Sequence, residues 1–325
     1  MYLSLAFIIS GIALLVWSAD RFTDGASALA RNFGISPLIV GLTIVAIGSS
    51  APEIAVSLNA AWSNQPGLAI GNALGSNITN IAFVLGITAI IKPLHVQSST
   101  LRREFPILFM VTLVGAYMLY DSQLTSIEGW VLLGMLVVYV GWLIHAGLSK
   151  RIKDDRMLEE IVDELPEGMS NGKAILWLVV GMIVLQLSSR LLVIGAVDTA
   201  THLGISDVVI GLTIVAIGTS LPELAASVAG VLKDEHEMAI GNVIGSNIFN
   251  LLAVMSLPGI VVGVQGLDDS VFYRDSLTMI GLTVAMAIMA YGFRGKPGHI
   301  NRWEGVLLFS TFGIWLTFVA LSSIH

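Results

Sequence analysis

The stretch GLTIVAIGSSAPE, residues 41–53, is an apolar helix sequence interrupted by two hydroxyls, a proline and a carboxylate. It returns as GLTIVAIGTSLPE, residues 211–223, at an offset of 170. A second stretch, AIGNALGSNITN at residues 69–80, returns at the same offset as AIGNVIGSNIFN at 239–250. Thirteen of the seventeen positions from Gly41 to Ser57 are identical in the second copy, as are nine of the twelve from Ala69 to Asn80. The chain is a duplication whose most similar parts are polar groups inside apolar helices.

Composition sets the solvent. The 325 residues are 55% hydrophobic and 12% charged, with mean hydropathy +0.84, whereas soluble domains carry about 25% charged residues. Apolar runs of about twenty residues, each enough to cross a hydrocarbon core roughly 30 Å thick, recur throughout. This predicts an all-α, polytopic membrane protein with the lipid bilayer as its first partner. Ten spans can be drawn, at about 3–19, 37–62, 68–91, 105–120, 127–148, 174–195, 207–232, 238–263, 276–293 and 303–323. The first has no basic residue before it and no small-residue cleavage site, so it reads as a retained span rather than a signal peptide. The absence of cysteine excludes disulfides and thiolate metal sites.

Each half holds five spans, in residues 1–149 and 174–325, joined by the polar loop 150–173. An odd number of spans sends the second copy into the membrane from the opposite side, as an inverted-topology repeat. With that threading, fourteen of the sixteen Lys and Arg fall on one side, leaving Arg190 and Arg274 on the other. Cytoplasmic loops are enriched in Lys and Arg. The expected orientation therefore has loop 150–173 in the cytoplasm and both termini outside, in the cytoplasmic (inner) membrane. The acidic run at 154–167 reads as a solvated amphipathic helix rather than a calcium-sensing strip.

The chemistry sits in the repeats. Glu53 and Glu223 lie inside apolar spans, where a charge costs roughly 2.5–3.5 kcal/mol and marks function by default. No basic residue is expected in the interior of any span, which leaves these carboxylates without a salt-bridge partner. On the same helix faces stand Ser49 and Ser50, and Thr219 and Ser220, three or four residues from each glutamate. Pro52 and Pro222 lack an N–H and so free the carbonyls of Gly48 and Gly218. Carboxylate, hydroxyl and carbonyl oxygens together suit hard cations such as Ca²⁺ and Na⁺. The second stretch adds Asn72, Ser76 and Asn80 on one helix stripe, with Asn242, Ser246 and Asn250 as counterparts. Hydrogen bonding between helices competes with ligation as their role, and packing is the expected role of the glycines in GNALG and GNVIG. The remaining aspartates, among them Asp20, Asp24 and Asp198, are expected at span ends or in loops. No P-loop, dinucleotide fingerprint or HExxH pattern is present, so neither an organic cofactor nor a nucleic-acid partner is expected. A hydrolase would need a nucleophile–base pair that the spans do not supply, and a passive scaffold would not need paired buried carboxylates.

The doubled motifs G-[ST]-S-x-P-E and G-N-x-x-G-S-N-I-x-[ND] resemble the α-repeats of the sodium/calcium exchangers, in the calcium/cation antiporter superfamily. The resemblance covers essentially the whole chain and points to a bacterial member. It implies ten helices, of which the second, third, seventh and eighth enclose the ions while the first and sixth slide as a pair. The ligands it implies are Glu53, Ser49, Ser50, Ser76, Asn80 and the Ala46 carbonyl. From the second half they are Glu223, Thr219, Ser220, Ser246, Asn250 and the Ala216 carbonyl. Ser49 stands where the family usually has Thr, and Asn250 where many members carry Asp, which argues against K⁺ co-transport. The implied activity is antiport of Ca²⁺ against Na⁺ rather than enzymatic catalysis, with cation/proton antiport on the same scaffold as the alternative. A monomer is compatible with everything in the sequence.

Overall fold

The computed structural model describes residues 2–149, 168–203, 216–291 and 298–322. Twelve helical pieces follow in order: α1 Tyr2–Phe33, α2 Pro37–Ser49, α3 Ala51–Trp62, α4 Pro66–Ile91, α5 Ser98–Met118 and α6 Ser126–Ser149. The second half supplies α7 Asn171–His202, α8 Ala216–Thr219, α9 Leu221–Leu232, α10 His236–Val261, α11 Val271–Met289 and α12 Arg302–Ser322. A short antiparallel pair, β1 Leu94–Val96 with β2 Gly298–Ile300, ties the two halves at one end.

Among the described residues, seven helices are long and apolar enough to cross a bilayer, or eight when α2 and α3, bent by 45°, are taken as one broken span. The sequence led to ten. The two that fall short have separate reasons. Helix α5 begins with Arg102, Arg103 and Glu104 within its first two turns. Helix α9 is only the second limb of its expected span, because residues 204–215 lie outside the described set. The acidic run at 154–167 also lies outside it.

Burial sorts the helices into centre and rim. In α4 and α10, 78% and 83% of the membrane window is buried, against 22% in α6 and 17% in α12. Side chains such as Ile70, Leu74, Ile78 and Ile81 on α4 and Ile244, Ile248 and Leu251 on α10 form one continuous core. Helices α5, α6, α11 and α12 screen that core from lipid with one face and expose Leu, Ile, Val and Trp on the other. A helix that is apolar all round is what this position demands.

Helices α1 and α7 stand apart as an antiparallel pair of 32 residues each, about 48 Å long at 1.5 Å per residue. They touch backbone to backbone at glycines: a Cβ on Gly25 would fall 2.6 Å from the Ala174 carbonyl, and one on Gly195 2.6 Å from the Ser4 carbonyl. Small residues permit such contact between membrane helices. Both helices outrun the expected spans 3–19 and 174–195, so three aspartates expected at span ends or in loops lie within helices. Asp20 and Asp24 lie inside α1 and bind Lys233, whose Nζ is 2.6 Å and 2.7 Å from their carboxylates. Asp198 lies inside α7 and accepts a hydrogen bond from Ser4. No basic residue was expected in a span interior, yet Arg190, inside the drawn span 174–195, lies well within α7.

Candidate cation site

Both glutamates owe their placement to a broken helix. At Ser50 and Ser220 the backbone leaves helical geometry (φ/ψ −83°/7° and −92°/6°), and a new helix starts with Pro52 or Pro222 in its first turn. Proline suits that position because its missing N–H is not needed there. Glu53 and Glu223 are each the third residue of the new helix, where the positive end of the helix dipole favours a carboxylate. Both are buried to 1% exposure and lie within electrostatic range of each other.

The neighbours come from across the repeat. Ser49 Oγ donates to Asn242 Oδ1 at 3.1 Å and lies 3.4 Å from Ser246 Oγ. Ser50 Oγ reaches Glu223 Oε1 at 3.5 Å. The α2 segment of the first half is thus seated on α10 of the second. Glycine permits this crossing: a Cβ on Gly241 would lie 2.7 Å from the Leu38 carbonyl, and one on Gly245 2.8 Å from that of Leu42. Asn72 and Asn242 do the same job in each half. Their Nδ2 groups donate to the Glu53 and Glu223 carbonyls at 3.1 and 3.3 Å, fixing the backbone that carries the acids. Asn242 also donates to Ser227 at 3.0 Å.

Asn80 and Asn250 each open a π-helical turn, at Asn80–Leu85 and Asn250–Val254. Such turns are often found at functional sites. The Asn250 carbonyl is taken by the Met255 N–H, five residues on, at 2.9 Å. Ser57 Oγ donates to the Val254 carbonyl at 2.8 Å.

Five expected site residues carry buried side-chain atoms without a hydrogen-bond partner: Glu53 Oε2, Asn80 Oδ1, Ser220 Oγ, Glu223 Oε2, and both Oδ1 and Nδ2 of Asn250. An unpartnered buried polar atom costs about 1–3 kcal/mol, and native proteins keep few of them. Four of the five supply oxygens alone. A cation would satisfy those oxygens together, whereas the Asn250 Nδ2, a donor, needs an acceptor. Ser76 and Ser246 are buried, and Ser246 Oγ lies 3.4 Å from Ser49 Oγ. Thr219 closes α8 on the same stretch.

Three carbonyls raised by the sequence already have donors in this structure. The Ala46 carbonyl already accepts from the Ser50 N–H at 3.0 Å and from Ser49 Oγ at 3.3 Å, which leaves less of it for an ion. The Gly48 and Gly218 carbonyls, freed by the prolines, turn away to α7, where Gln186 Nε2 and Ser189 Oγ donate to them at 3.0 and 2.7 Å. Ala216 begins α8, and the preceding limb lies outside the described residues.

Beyond the interhelical bonding expected of Asn80, other polar contacts lie off the expected stripe. Asn77 Nδ2 donates to the Asn247 carbonyl at 3.2 Å, and Asn80 Nδ2 to Asn247 Oδ1 at 3.1 Å, pinning α4 to α10. Both residues stand in the repeated GSN triplet, so the signal was present. They lie one position off the stripe that drew attention. Gln186, Ser189 and Arg190 also had a signal, as polar residues within an apolar run. Beside them a cavity of about 410 Å³ reaches the α2–α3 break, lined by Pro52, Val56, Gln186, Arg190, Val193 and Thr219 among others.

The family model described as sodium/calcium exchanger protein matches residues 3–145 and 173–321. The putative antiporter CaxA of Alkalimonas amylolytica is 50% identical over 96% of this chain and 97% of its own. The inner membrane protein YrbG of Escherichia coli K12 is 41% identical over 97% and 96%. Among solved structures, the sodium-calcium exchanger NCX_Mj soaked with Na⁺ and Ca²⁺ superposes with a TM-score of 0.82 at 30% identity, covering 97% of this chain and 98% of that one.

Proposed function

The chain belongs to the sodium/calcium exchanger protein family, and from that premise we propose that it exchanges Ca²⁺ for Na⁺ by alternating access. One observation carries the reading: two buried carboxylates at paired helix breaks, together with the unpartnered side-chain oxygens of Ser220, Asn80 and Asn250. The proposed ligands are Glu53, Ser49, Ser50, Ser76 and Asn80, with Glu223, Thr219, Ser220, Ser246 and Asn250. The Ala46 and Ala216 carbonyls complete the set. Two carboxylates and neutral amides give the site a charge of about −2, which one Ca²⁺ cancels. A neutral load is the cheapest one to carry past a low-dielectric barrier.

The architecture that serves this cycle is ten helices in two inverted repeats, residues 1–149 and 174–325, joined by a cytoplasmic loop at 150–173. Supporting it, the family model matches residues 3–145 and 173–321, and α3 Ala51–Trp62 and α9 Leu221–Leu232 recur at an offset of 170. Both termini then lie outside the inner membrane. A reporter fused after His325 should be active only in the extracytoplasmic space, and cytoplasmic activity would overturn the orientation.

The coupling ion is decided by flux. Purified protein in liposomes should accumulate Ca²⁺ when an outward Na⁺ gradient is imposed. Uptake driven by a pH gradient and indifferent to Na⁺ would replace the reading with cation/proton antiport.

A further inference from the structure

Among the described residues, the two carbonyls released by Pro52 and Pro222 find their side-chain donors on one helix. Gln186 Nε2 binds the Gly48 carbonyl at 3.0 Å and reaches that of Ser49 at 3.3 Å. Ser189 Oγ binds the Gly218 carbonyl at 2.7 Å. Both side chains belong to α7. At the repeat offset of 170 their counterparts on α1 are Val16 and Ala19, neither of which can donate a hydrogen bond.

The same asymmetry appears in space. On the α7 side, the 410 Å³ cavity opens against α3, where Val56 is 37% exposed. On the α1 side the corresponding region is filled. Phe22, Ala19 and Ala26 pack there with Ala226, the counterpart of Val56, which is 5% exposed. Lys233 then fastens α1 through Asp20 and Asp24. At the same offset Lys233 and Asp20 correspond to Ser63 and Arg190, which cannot form that pair. The structure is therefore open beside α7 and closed beside α1.

We propose that Gln186 and Ser189 are positioning residues of the exchange cycle, which hold both broken-helix carbonyls only while the cavity beside α7 is open. This rests on the inverted-repeat reading, in which the opposite access state is the mirror arrangement, with α1 taking the place of α7. In that state Val16 and Ala19 face the two carbonyls, and both acceptors lose their side-chain donor. The carrier is then not symmetric between its two faces: hydrogen bonds next to the ion site favour one access state. A neutral intramolecular hydrogen bond is worth about fivefold in an equilibrium. Two of them bias the access equilibrium by about 25-fold.

The absence of native cysteine makes the test clean. Val56→Cys reports the open side, and Ala226→Cys its mirror, by the rate of modification with a small thiol reagent in liposomes. Gln186→Leu with Ser189→Ala should slow labelling of Val56→Cys and speed that of Ala226→Cys, changing their ratio by about 25-fold. Ser189→Thr, which keeps the hydroxyl, should leave the ratio as it was. Ala19→Ser, which gives α1 a donor, should move it in the same direction as the double variant. A ratio unchanged in both the double variant and Ala19→Ser overturns the proposal, and Ala19→Ser alone decides if the double variant does not fold. Labelling needs no ion gradient, so these outcomes are independent of whether Na⁺ or H⁺ drives the exchange.

Discussion

Replacing Glu53 with Gln separates the charge of the site from its shape. The amide is isosteric, so no cavity opens around a residue that is 1% exposed. Among the described residues no cation pairs with Glu53, so no ion pair is broken and no partner is stranded. The charge itself costs roughly 2.5–3.5 kcal/mol at helix centre. Its place in the first turn of α3 returns up to about 1 kcal/mol through the helix dipole. The cation-free variant should therefore be as stable as the parent, or more stable by up to about 2 kcal/mol. Binding moves the other way. With one carboxylate left, a bound Ca²⁺ leaves one uncompensated positive charge buried, at the same cost of about 2.5–3.5 kcal/mol. At 1.4 kcal/mol per decade that is a loss of about two orders of magnitude in apparent Ca²⁺ affinity. Thermal melting of detergent-solubilised protein, with and without Ca²⁺, gives both numbers, and Na⁺-driven Ca²⁺ uptake gives the transport loss. A variant that melts several degrees lower yet retains uptake within threefold would refute this account and make Glu53 structural.

Three further outcomes follow from other contacts. If three Na⁺ return for each Ca²⁺, one positive charge crosses per cycle and a potential acts on it with about 2.3 kcal/mol per 100 mV; uptake should follow a voltage clamped with K⁺ and valinomycin, and flux indifferent to voltage contradicts that count. Ser57→Ala strands the buried Val254 carbonyl in the second π-helical turn, so the melting free energy should fall by about 1–3 kcal/mol, and an unchanged melt would show that the bond contributes nothing. The Lys92 ammonium, 2.7 Å from Asp234 Oδ1, holds that carboxyl below the usual aspartate range. A depressed native pKa favours the folded state above the ordinary value near 3.9 and loses that contribution as pH falls through the lower native value. The acid limb of the stability profile should therefore flatten in Lys92→Gln, and an identical limb would dismiss the pair.

Much of this protein was decided by its sequence alone. The 170-residue offset, the low charge and the two glutamates in apolar runs depend only on the local chain and the solvent it must cross, and they implied the membrane class and the family resemblance. The helix breaks were equally local, because a proline removes its own N–H wherever it stands. Where the released carbonyls would turn was not local. The sequence offered Gly48 and Gly218 to the ions, yet the fold gives them to Gln186 and Ser189, more than a hundred residues from Gly48 and twenty-nine from Gly218. Asn77 and Asn247 meet only because α4 and α10 cross, and nothing in either stretch encodes the crossing. How far α1 and α7 run past the expected spans was not legible for a related reason. Hydropathy tracks the hydrocarbon, while Asp20 and Asp24 remain in the helix because Lys233 arrives from another element to pair with them. A repeat in sequence states that two halves fold alike. Only the packing of both halves in one conformation decides which of them is open.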